Sequence, residues 1–126
     1  MKKSMKLMIT IAVLATGMMS ADNVTVKNDT DTNIYVVVSY KFEALSGSTH
    51  KCKDGYASGF IAMGETQGIY FTPCEPGVTT TVYSTTAGKA ADMKSLPMQK
   101  SKKEIGSMSN ASNITVSGAA GTYTVK

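Results

Sequence analysis

Downstream of residue 21, apolar side chains recur at every second position, the period of a strand with one face buried. The clearest stretch is Ile34-Tyr35-Val36-Val37-Val38-Ser39-Tyr40-Lys41-Phe42. It sets Ile34, Val36, Val38, Tyr40 and Phe42 on one face and Tyr35, Val37, Ser39 and Lys41 on the other. Upstream, Val24 and Val26 alternate with Thr25 and Lys27. The connection Asn28-Asp29-Thr30-Asp31-Thr32-Asn33 is dense in turn formers, so the two runs are expected to pair as a β-hairpin. Ile69-Tyr70-Phe71 and Val78 to Ser84, separated by Thr72-Pro73 and Pro76-Gly77, predict a second hairpin with Cys74 in its turn. Tyr56 to Met63 predicts a short strand weakened by Ser58 and Gly59. Asn113 to Ser117 and Thr122 to Lys126 flank Gly118-Ala119-Ala120-Gly121 and predict a third hairpin.

Helical periodicity is absent from most of the chain. About six to seven short strands with turn signals between them predict an all-β fold, a small antiparallel β-sandwich or partly open barrel. Residues 22–126 are expected to form this single domain. The exception is the segment 87–111, which lacks alternation and aromatics and carries Lys89, Lys94, Lys100, Lys102 and Lys103. It reads as a Lys-rich loop, either holding a short helix around Ala87 to Ser95 or forming a mobile excursion that touches a partner.

The first 21 residues change the picture of compartment. Lys2, Lys3 and Lys6 precede an apolar run, and small residues Ala15, Gly17, Ser20 and Ala21 follow. The run from Leu7 to Met19 is shorter than the roughly 20 apolar residues of a spanning helix and is broken by Thr10, Thr16 and Gly17. Residues 1–21 therefore read as a cleavable secretion signal peptide of bacterial appearance, with no stable membrane span. A secreted or periplasmic location follows, in which Cys52 and Cys74, the only cysteines, are expected to form a disulfide.

Composition then excludes several functions. The chain carries a formal charge of +4, but without Lys2, Lys3 and Lys6 ten lysines face nine acids. That balance gives no basic face for nucleic acid. One His, no Arg and acids scattered among turns are a poor inventory for acid–base or phosphoryl chemistry, so the chain is expected not to be an enzyme and to need no cofactor. His50-Lys51-Cys52-Lys53-Asp54 is the densest polar cluster, yet a Cys–His nucleophile needs a free thiol. It is expected to be a charged loop beside the disulfide. Asp29-Thr30-Asp31-Thr32-Asn33 imitates the opening of a calcium loop, but Ile34 and Tyr40 stand where an EF-hand needs Gly and Glu. A turn explains it better, and Met63, Met93, Met98 and Met108 match no metal-ligand spacing.

What remains is a small secreted or periplasmic β-sandwich that acts by surface contact, as an adhesion, inhibitor or host-interaction module. Its partner would be a protein or an anionic envelope or host surface, met by Lys89, Lys94, Lys100, Lys102 and Lys103. The alternative is a subunit of an extracellular or envelope assembly, or a homo-oligomer, that pairs through edge strands. Val24 to Lys27 and Thr122 to Lys126 are the expected edges. A small hydrolase or metal-binding protein ranks below both.

Overall fold

The computed structural model describes residues 22–95 and 98–126; the expected signal peptide at 1–21 lies outside them. The alternating runs fold as strands: β1 (Asp22–Thr30), β2 (Asn33–Ser46), β3 (Thr49–Ile61), β4 (Thr66–Phe71), β5 (Thr79–Thr85), β6 (Lys102–Ser109), β7 (Asn113–Gly118) and β8 (Thr124–Val125). Helical turns α1 (Asp92–Ser95) and α2 (Met98–Ser101) lie between β5 and β6. The strands make two four-stranded sheets, ordered β4-β1-β7-β8 and β3-β2-β5-β6. All pairings are antiparallel except that of β1 with β7. The expected all-β sandwich is the architecture found, with eight strands and no closed barrel among the described residues.

The inner faces obey the period of two. Val24, Val26, Ile69, Phe71, Ile114 and Val116 of the first sheet pack against Ile34, Val36, Val38, Ile61 and Val82 of the second. Burying each such side chain stabilises the fold by roughly 1.5–3 kcal/mol against its exposure to water.

Two expected hairpins are not hairpins. β1 pairs with β4 and β7, whereas β2 pairs with β3 and β5, so the connection at Asp31-Thr32 passes from one sheet to the other. Asn28 turns the chain. Fully buried, it donates from Nδ2 to the carbonyls of Thr32 (2.9 Å) and Ile61 (3.0 Å), and its Oδ1 accepts from the Thr30 amide and hydroxyl. These bonds satisfy a buried amide while tying the turn to the opposite sheet. Likewise β4 and β5 belong to different sheets, so the Cys74 loop also bridges layers. The third expected hairpin forms as β7–β8.

The Lys-rich segment is less of a loop than expected. Its first part contains α1, within the range where a short helix was expected, and Lys102–Ser109 is a full strand. The Thr85 hydroxyl donates to the Ser101 carbonyl and accepts from the Ala87 amide, and Asn33 Nδ2 donates to the Ala87 carbonyl. The segment is thereby fastened to the sandwich end. A bulge between Val82 and Tyr83 leaves Ile105 without a register partner and lets it lean on the core, which interrupts the alternation of β6.

Candidate functional site

β2 and β3 are the longest strands, with 14 and 13 residues, and they outrun the sheet that contains them. β5 accompanies β2 only from Asn33 to Ser39. Beyond that, Tyr40 to Ser46 pair with Thr49 to Gly55 alone, forming an arm. Gly47-Ser48 closes its tip, with Gly47 at φ 67°, a conformation that a two-residue hairpin turn demands and glycine supplies without strain.

Aromatic packing and a covalent bond hold the arm's root. The Tyr40 ring tilts onto Phe71 of the first sheet with centroids 4.9 Å apart. The Phe42 ring covers Gly55, where any Cβ would approach it to 2.6 Å. Cys52 of β3 is bonded to Cys74, and the Cys74 amide donates to the Lys41 carbonyl at 2.9 Å. The expected disulfide is therefore the brace between the arm and the loop joining β4 to β5.

The arm's charges fall into two groups. Lys41 Nζ meets Asp54 at 3.0 Å, and that hydrogen bond, reinforced by the carboxylate charge, holds the Lys41 ammonium above its ordinary pKa. His50 Nδ1 contacts the Glu43 carboxylate. Both are solvent-facing pairs of small energetic weight. Lys51 and Lys53 differ: they stand opposite Ala44 and Phe42 on one face of the arm, exposed, and neither is in a salt bridge among the described residues. At the tip Leu45 is 66% exposed, and near the root Tyr56 is 75% exposed.

The lysines singled out from the sequence are spread over α1, α2, β6 and the turn before α1. Lys89 lies in the turn before α1, Lys94 in α1 and Lys100 in α2. Lys102 is half-buried and places Nζ 4.0 Å from the Tyr83 ring centroid and 5.1 Å from that of Tyr35, so its charge is engaged within the molecule. Lys103 lines a shallow groove with Ser84, Glu104, Ile105, Gly121 and Tyr123. The pairing of Asn33 with Thr85, and of Thr85 with Lys102, puts this group at the end of the sheet away from the arm.

The other clusters have local roles. Cys52 is bridged, so His50 has no thiol beside it, and the expected charged loop at 50–54 is part of β3. Asp31 accepts from the Tyr123 hydroxyl at 2.7 Å and the Ala120 amide at 3.2 Å, which lowers its pKa and raises that of Tyr123. That contact clasps the β1–β2 turn to the β7–β8 hairpin. Among the described residues no three His, Cys, Asp or Glu side chains are grouped to hold a metal ion. Of the expected edges, β1 is central and β8 is terminal in its sheet. The long edge, β3, was missed although Gly47-Ser48 is a two-residue hairpin signal directly after an alternating run.

No protein-family model matches the chain. No curated protein matches it either. Its fold is similar to part of the human-specific toxin intermedilysin, whose crystal structure superposes with a TM-score of 0.51 at 13% identity, over 86% of this chain. The chain corresponds to 23% of the length of that toxin. At this identity the likeness is one of fold.

Proposed function

We propose that this protein is an exported, non-enzymatic binding module of bacterial origin, secreted or periplasmic, that acts by surface contact through the β2–β3 arm. The observation that carries the reading is the arm itself: an extension of two strands that, beyond Tyr40 at its root, contributes nothing to the shared core, yet is braced by the molecule's disulfide. A braced projection presents side chains in a fixed geometry and so lowers the ordering cost of binding. The disulfide fits an oxidising compartment, and no described helix is long and apolar enough to cross a membrane. Occurrence of a similar fold within a human-specific toxin fits an outward-facing role.

The test compares three oxidised proteins as baits against culture supernatant, envelope extract and host lysate: wild type, a variant with Ala44–Lys51 replaced by Asn-Gly, and a variant with Lys89, Lys94, Lys100 and Lys103 changed to Gln. The turn replacement keeps Cys52 and its bridge. Capture lost in the shortened arm and retained in the Gln variant supports the proposal. Capture that survives arm shortening overturns it.

A further inference from the structure

Among the described residues, the strand order leaves β3 with a neighbour on one side only. Near its end the first sheet approaches: Ile69 of β4 would lie 3.2 Å from a Cβ at Gly59. From Thr49 to Asp54, by contrast, every residue is exposed. In an antiparallel ladder, alternate residues turn their N–H and C=O away from the paired strand, so this stretch offers a row of hydrogen-bonding groups to solvent. The row is already ordered by its ladder to β2 and by the Cys52–Cys74 bond.

Charge defines what this edge accepts. Lys51 and Lys53 point to the same face, two residues apart, without an acidic partner among the described residues. Two copies of β3 pairing antiparallel about Cys52 would set Lys51 of one copy against Lys53 of the other, which is repulsive. An incoming strand with acids at alternate positions would instead place a carboxylate beside each ammonium. We infer that the outer edge of β3 from Thr49 to Tyr56 binds an acidic, extended segment of another polypeptide, which joins the second sheet as a fifth strand. Main-chain bonds supply the affinity, and the two lysines select the sequence.

The inference rests on the arm being a contact surface and specifies what it contacts. Its probe is a capped peptide alternating Glu with Val, titrated into the isotope-labelled, oxidised, full-length mature protein. Expected are chemical-shift changes along Thr49–Tyr56 and slowed exchange of outward-facing amides there. Replacing Glu by Lys in the peptide, or Lys51 and Lys53 by Glu in the protein, should weaken binding at least about ten-fold, and the double charge reversal should restore it. Absence of amide protection at 49–56, or equal binding of the Lys peptide, overturns edge pairing. So does binding of vesicles containing phosphatidylglycerol, dependent on Lys51 and Lys53, without binding of the peptide. If the peptide fails while arm shortening still abolishes capture, edge pairing falls and the contact reading stands.

Discussion

β2 and β3 run through both the sandwich body and the arm, yet different forces hold the two regions. In the body, β2 has strands on both sides and a second sheet beneath, and Ile34, Val36 and Val38 are fully buried. In the arm, β2 has one partner strand, the apolar faces are partly open, and a covalent bond, the Tyr40–Phe71 ring contact and the Phe42 ring over Gly55 stand in for a full second layer. An isolated two-stranded ribbon is marginal in water, so the bridge offsets what the arm lacks in burial. The lesson is that the position of the disulfide marks where hydrophobic stabilisation stops.

The largest break of this contrast should come from the body. Ile34→Ala removes a fully buried side chain from the centre of the core and should cost about 3 kcal/mol of global stability, measured by urea denaturation. Replacing Cys52 and Cys74 by Ser opens a loop of sequence separation 22 and should cost up to about 3 kcal/mol. Its hydrogen-exchange signature separates the two regions: protection should fall first in residues 40–55 and 72–78, with Val36 and Val82 amides least affected. Uniform loss across both regions would contradict the division.

A smaller effect of opposite sign is expected at Thr80. Its Oγ1 is buried and has no hydrogen-bond partner among the described residues, so Thr80→Val should stabilise the body by about 1 kcal/mol, read as a higher urea midpoint. The smallest concerns the Asp31–Tyr123 clasp. Because the folded Asp31 carboxyl titrates below its ordinary value, the clasp contributes stability above about pH 4 and loses it as pH falls through the lowered value. Tyr123→Phe should move the Asp31 titration, followed by NMR, back toward the ordinary range.

Much of the body was legible because burial of one face imposes a period of two. Val24, Val26, Ile34, Val36 and Val38 announce their faces directly. What local pattern could not give was the choice between a turn that folds a strand back on its neighbour and one that throws it onto the other sheet. Both use Asn, Asp and Thr, and the decision at Asn28 depends on the Ile61 carbonyl, a contact far along the chain. The arm's second strand was legible only through its turn, Gly47-Ser48. His50 to Asp54 carries no apolar alternation because no core lies beneath it; pairing with β2 makes it a strand. Hence the lysines chosen from sequence density were Lys89, Lys94, Lys100, Lys102 and Lys103, while the pair aligned on an open edge was Lys51 and Lys53.

The parallel ladder between β1 and β7 joins Thr25 to Asn113, so the first strand of the fold waits for nearly the last before its second flank is filled. A nascent chain halted ahead of Asn113 would hold β1 with an open flank and no complete lower layer, and such long-range closure slows folding relative to local pairing. The polypeptide would therefore stay loose while being synthesised and harden only once β7 has been made and can fill that flank.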